Sequence, residues 1–167
     1  MKVDVGCGAY PTGNVNVDLF RGDTPHAGNP ITPKVIPNFV RADAHHLPFR
    51  DAAFTEANCS HIIEHEGVDP DKVLTEILRV TEGVITLVVP HRINRSGWLF
   101  RRYMQHSKHC RYFNVRTIRR WLKSRGIRAR IDVRYKGLPH DYFSLIRIPL
   151  EIEIRFAWKS PTQPDRI

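Results

Sequence analysis

Three acids, two glycines and a pair of histidines stand in the first 65 residues at spacings that suit the binding of a nucleoside. Val3-Asp4-Val5-Gly6-Cys7-Gly8 reads as a short apolar strand running into glycines, and Val15-Asn16-Val17-Asp18-Leu19 puts a carboxylate at the tip of the next strand, ten residues after Gly8. Glycines let the backbone approach a ligand more closely than any side chain would permit, and an acid at a strand tip can accept both ribose hydroxyls. Two cofactor classes use that pairing, dinucleotides and S-adenosylmethionine. A dinucleotide fingerprint wants Gly at position 11, opening a helix whose N-terminus holds the pyrophosphate, with the acid about 20 residues on. Position 11 is Pro, and Ala9 to Gly13 is too short for that helix. The spacing favours S-adenosylmethionine.

The second half of the pattern is Asn38-Phe39-Val40-Arg41-Ala42-Asp43-Ala44-His45-His46-Leu47-Pro48-Phe49-Arg50-Asp51-Ala52-Ala53-Phe54, followed by Ser60-His61-Ile62-Ile63-Glu64-His65. Taken with the glycines and Asp18, it resembles the class I S-adenosylmethionine-dependent methyltransferases, in particular the small type 11 branch. That branch reads strand, Asp-Ala, Leu-Pro-Phe, Asp, Phe, strand and a Glu-His pair. The resemblance covers roughly residues 3 to 126. It implies that Gly6 and Gly8 lie against the methionine end of the cofactor and that Asp4 orients its ammonium group. It implies further that Asp18 takes the ribose hydroxyls, that Asp43 and Ala44 read the adenine edge, that Leu47 packs on the ring, and that Ser60 and His61 line the floor under the sulfonium.

Methyl transfer from a sulfonium is an in-line displacement with a neutral leaving group, so alignment supplies much of the catalysis. A base matters when the nucleophile arrives protonated. His65 and His61 are the candidates, because imidazole titrates near neutrality and both follow the fourth strand. Glu64 is either part of the family's Glu-His pair or a structural carboxylate, and His91 is a further possibility. No histidine cluster has metal spacing, and Cys7, Cys59 and Cys110 form no CxxC pair, so neither zinc nor a disulfide framework is indicated.

These groups need an alternating frame to position them. Strands are expected at 3–5, 15–19, 38–42, 54–60, 83–89, 127–135 and 142–148, with a further extended segment at 151–158. Helices are expected at 70–80, behind Asp69-Pro70, and at 115–125, between Asn114 and Gly126, with another at 97–106. This predicts an α/β fold: a Rossmann-like class I methyltransferase with a mostly parallel open sheet, in a minimal version lacking the N-terminal helices on one face. Residues 9–13 are short for a parallel crossover, so the second strand is expected to sit differently from the standard fold. Arg21 to Pro37, with four prolines, reads as a loop. The bare face should be covered by that loop, by the C-terminal extended segment or by a second subunit in a homodimer. Residues 1–159 form a single domain in this reading, with a flexible tail at 160–167.

Charge is uneven. Residues 1–91 hold 7 Lys/Arg against 12 Asp/Glu, residues 92–136 hold 15 against 1, and residues 137–167 hold 4 against 4. A basic block interleaved with aromatics suits a phosphate-bearing partner. The function that follows is methyl transfer to an anionic small-molecule acceptor. The rivals are a non-catalytic or nucleic-acid-directed cofactor-binding protein that uses segment 92–136, and a dinucleotide-dependent oxidoreductase. No apolar run is long enough to span a bilayer and no signal-peptide pattern opens the chain, so a cytoplasmic location is expected.

Overall fold

The computed structural model describes residues 1–8, 10–19, 25–26, 29–30, 36–91, 111, 113–137 and 147–159. Its strands and helices follow the chain as β1 (Lys2–Val5), β2 (Val15–Asp18), β3 (Pro25–His26), β4 (Asn29–Pro30), β5 (Phe39–Arg41), β6 (Phe54–Ser60), α1 (Pro70–Val80), β7 (Thr81–Pro90), α2 (Val115–Lys123), β8 (Arg130–Gly137) and β9 (Arg147–Trp158). Seven strands make one sheet in the order β5-β2-β1-β6-β7-β9-β8. β5, β2, β1, β6 and β7 run parallel, and β9 is antiparallel to both β7 and β8.

Local chemistry explains both helices. The Asp69 carboxylate accepts the backbone N–H groups of Asp71 and Lys72, and Pro70 fills the first turn, where its missing N–H costs nothing. Asn114 and Thr117 form a reciprocal capping box at the start of α2. The buried stripe of α1, Val73, Leu74, Ile77 and Val80, and that of α2, Ile118 and Leu122, face one side of the sheet. Trp121 Nε1 donates to Asp71 Oδ1 at 2.7 Å, which holds the helices side by side. Ile77 is wholly buried, and truncating it to Ala would cost about 3 kcal/mol.

The sheet is amphipathic, and its register makes this plain. One row across six strands is Val17, Val5, Cys59, Leu87, Ile154 and Ile131, and it lies under the helices. The adjacent row, on the opposite face because side chains alternate, is Asn16, Asp4, Asn58, Thr86, Arg155 and Arg130. Phe39, Val84, Val88 and Ala157 are apolar members of that second face, which also carries Lys2, Glu56, Ser60 and Glu153. Part of this face is covered as expected: Asp4, Asn16 and Val88 are buried, and the Pro37 carbonyl at the end of the proline-rich stretch accepts Asn16 Nδ2 at 2.7 Å, next to buried Ile36. The C-terminal extended segment is not the cover: it is β9, inside the sheet. The polar residues on this face weaken the apolar drive for a homodimer through it.

The second strand takes its place beside β1, contrary to expectation, and a polar bracket makes the short connection possible. Asp4 Oδ2 accepts both the N–H and the hydroxyl of Thr12 at 2.8 Å, Asn14 N–H donates to the Lys2 carbonyl, and Asn14 Oδ1 accepts the Lys2 N–H. Gly13 is obligatory there, because a Cβ would lie 2.5 Å from the Val15 carbonyl and 2.8 Å from the Asp4 nitrogen. Within the stretch expected as a plain loop, β3 and β4 pair antiparallel. The strand expected at 142–148 and the segment at 151–158 are one strand where described, and residues 142–146 lie outside the described residues, as do the helix expected at 97–106 and the tail at 160–167. Among the described residues, no helix is long and apolar enough to cross a membrane.

Candidate active site

A cleft of about 730 Å³ opens at the carboxyl ends of β1, β2, β5 and β6. Asp4, Gly6, Gly8, Asp18, Asp43, Ala44, Ser60, His61 and His65 all line it. Leu47 does not. It is buried in the core below, with its N–H on Glu76 Oε2 at 2.7 Å and its carbonyl on Arg79 Nη2 at 2.9 Å, so it braces the turn instead of facing a ring.

The glycine loop is held from β2. The N–H groups of Gly6 and Cys7 both donate to the Val17 carbonyl, and Gly8 N–H donates to Asp18 Oδ2 at 2.9 Å. Gly6 has φ of 72°, in the left-handed region, and a Cβ on it would fall 2.2 Å from Ile62 Cδ1. The loop thus requires a residue without a side chain and leaves its backbone facing the cleft. The Cys7 thiol between the glycines is pushed up to about 12 by burial and then by the charges of Asp18 and Asp4, so it stays a neutral packing group.

The Asp4 carboxylate is turned to internal work. Besides its two bonds from Thr12, Oδ1 accepts Asn58 Nδ2 at 2.7 Å. Asp43 Oδ1 accepts the N–H of His45 at 2.9 Å and meets its Nδ1 at 2.7 Å, which holds this carboxyl below the usual range, the backbone N–H being the larger cause. His45 Nε2 accepts the Asp69 N–H at 2.8 Å, so the ring proton sits on Nδ1, toward Asp43. His45 thereby ties the acid of this turn to the N-cap of α1. Neither Asp43 Oδ2 nor the Ala44 N–H is bonded to any described residue, an acceptor and a donor side by side on the cleft wall.

His61 differs from its expected role as a base. It has φ of 56°, and its Nε2 meets Glu151 Oε1 at 3.1 Å while Nδ1 meets Glu64 Oε1 at 3.2 Å. These two carboxylates, Glu151 first, push the ring up to about 9. A ring protonated at neutral pH with both nitrogens donating cannot accept a proton, so His61 is a cationic strut joining β6, the following loop and β9. His65 stays on the cleft wall, in a loop pinned by Arg111: Nη1 donates to the carbonyls of His65 and Val68, and the Arg111 N–H to that of Glu64. Burial holds His91 below its ordinary value, and it does not line the cleft.

Sequence reasoning missed Tyr10, Thr12, Asn58, Ile62 and Glu66 on the cleft wall. Asn58 was within reach, because it sits opposite Asp4 on the polar face of an alternating strand. Tyr10 belongs to a loop with no periodicity to read.

Residues 3–85 match the family model of the type 11 methyltransferase domain. The chain belongs to the class I S-adenosylmethionine-dependent methyltransferases. Solved structures agree in fold. A methyltransferase from Thermotoga maritima described as a possible histamine N-methyltransferase is 18% identical, covers 95% of this chain and 82% of its own, and superposes with a TM-score of 0.68. One from Archaeoglobus fulgidus is 16% identical over 92% and 84%, with a TM-score of 0.64, and one from Mesorhizobium loti is 15% identical over 92% and 88%, at 0.56. No curated protein sequence matches. As an S-adenosylmethionine-dependent methyltransferase, the chain takes S-adenosylmethionine as its cofactor. Gly6 and Gly8, both at positive φ and both lining the cleft, with the unengaged Asp43 Oδ2 and Ala44 N–H on its wall, fit an adenosyl ligand there.

Proposed function

We propose that the Gly6–Gly8 loop, Asp18, Asp43 and Ala44 hold the cofactor of this methyltransferase, and that the methyl group passes to a small-molecule acceptor lying against His65. The observation that carries this reading is the convergence of these groups on one cleft at the carboxyl ends of successive strands. S-adenosylmethionine supplies an activated methyl group on a sulfonium. Asp43 and the Ala44 N–H would hold the adenine edge, one as acceptor and the other as donor. Asp18 would hold the ribose with the same carboxylate that anchors Gly8, so that sugar and loop share one acid. Asp4 acts through the crossover it brackets and is a positioning residue, and Ser60 lines the floor.

His65 takes the proton of an acceptor whose nucleophile arrives protonated, such as a hydroxyl, a phenol or an ammonium group. His61 keeps the loop that carries His65 in register with β9. An anionic group on the acceptor would find the cationic His61 ring on the cleft wall. The continuous core from Val3 to Phe156 supports reading residues 1–159 as one domain.

Isothermal titration with S-adenosylmethionine and S-adenosylhomocysteine, with NAD as control, tests the assignment. The wild type should bind both adenosyl ligands and not NAD, and Asp43→Asn should bind them at least 10-fold more weakly. Equal binding by Asp43→Asn would overturn the adenine assignment, and preference for NAD would overturn the cofactor site.

A further inference from the structure

Helix α2 carries a cationic stripe that neither the cleft nor the fold uses. Arg116, Arg119, Arg120 and Lys123 recur at i, i+3, i+4 and i+7 within an arc of about 100°, opposite buried Ile118 and Leu122. All four are exposed, and none has an ion pair or side-chain hydrogen bond among the described residues. Three neighbouring cations are paired: Arg125 with Asp71, stacked over Trp121, Arg130 with Asp132, and Arg134 with Glu153; exposed Arg128, like the stripe, has no partner among the described residues. Residues 92–136 contain a single carboxylate, Asp132, and the acids that reach this segment from elsewhere, Asp71, Glu151 and Glu153, pair with Arg125 and Arg134 and not with the stripe.

Mutual repulsion within the stripe works against the helix that carries it. Like charges at i and i+4 repel, at Arg116–Arg120 and Arg119–Lys123, and Arg116 in the first turn opposes the helix dipole, whereas Arg120 and Lys123 in the last turn favour it. The capping box of Asn114 and Thr117 offsets part of the penalty. A run of like charges that repel one another is relieved by a ligand that brings several negative charges in a row.

We propose that this face of α2 binds the phosphodiester backbone of a nucleic acid, independently of the cofactor cleft. Four side chains at fixed helical spacing span about 10 Å along the axis and suit a linear array of phosphates. A membrane surface fits less well: the exposed positions of α2 are Arg116, Thr117, Arg119, Arg120 and Lys123, with no apolar side chain to enter a bilayer.

The test is fluorescence anisotropy of a labelled oligouridylate against the full chain over a salt series, for wild type and for the variant R116Q/R119Q/R120Q/K123Q. Each phosphate contact contributes about 0.7 to the slope of log affinity against log salt, so four contacts predict a loss of roughly 50-fold between 50 and 200 mM salt. The variant should lose about 3 from that slope while its titration with S-adenosylhomocysteine is unchanged. If the quadruple variant is not folded, R119Q/R120Q should lose about 1.4. No binding by wild type, an unchanged slope in the folded variant, or binding to phosphatidylserine vesicles without binding to the oligonucleotide would each overturn the proposal.

Discussion

Replacing His61 by Asn tests whether the ring is a cationic strut or a base. Asn tolerates the left-handed φ of 56° better than most residues, so the substitution removes the imidazolium with little backbone penalty. The two carboxylates raise the ring from 6.5 to about 9, and at 1.36 kcal/mol per unit that bounds their contribution at about 3.4 kcal/mol. The ring is 37% exposed, and discounting for solvent screening leaves about 1.5–2 kcal/mol, or roughly 3–8 °C in Tm for a chain of this size. Because the folded value lies above the unfolded one, this stability is fully present below about pH 6.5 and is lost as pH rises through about 9. Thermal melts of wild type and His61→Asn should therefore differ by several degrees at pH 6.5 and converge near pH 10. A difference that stays constant with pH would refute the charged strut.

Three more outcomes follow from the geometry. Gly13→Ala should destabilise the fold by more than about 2 kcal/mol in urea unfolding, because its Cβ meets backbone atoms that can yield only by moving the crossover. Cys7 should react with iodoacetamide at pH 8 far more slowly than a free thiol, its proton being held up to about 12, and mass spectrometry of the alkylated chain reads this directly. With an acceptor found by screening, His65→Gln should lower kcat by 100-fold or more while leaving the dissociation constant of S-adenosylhomocysteine unchanged.

Much of this architecture was legible in the residues because local signals and global fold agree. Asp69-Pro70 fixes the start of α1 and Asn114 that of α2, and both helices begin where those caps dictate. β6 matches its expected range, Phe54 to Ser60, because it is bounded by a turn on one side and the histidine loop on the other. The polar face is equally legible in Lys2-Val3-Asp4-Val5, Val15-Asn16-Val17-Asp18 and Glu151-Ile152-Glu153-Ile154-Arg155, which alternate strictly, as strands with one polar face do. The role of Asp4 as a bracket was hidden because it depends on Thr12 and Asn58, which meet it only when the crossover folds back. The ion pairs of His61 are hidden for a similar reason: its second carboxylate, Glu151, lies 90 residues away on β9. The place of Leu47 depends on Glu76 and Arg79 of α1, which hold its backbone inside the core from 29 and 32 residues away.

The most direct test of the central claim is a titration of ¹⁵N-labelled protein with S-adenosylhomocysteine, followed by amide chemical shifts. The cofactor site assigned here predicts the largest changes at Gly6, Gly8 and Ala44, smaller ones at Ser60 and His65, and none along α2. Changes centred away from the carboxyl ends of β1, β2 and β5, or no changes at all in folded protein, would contradict it.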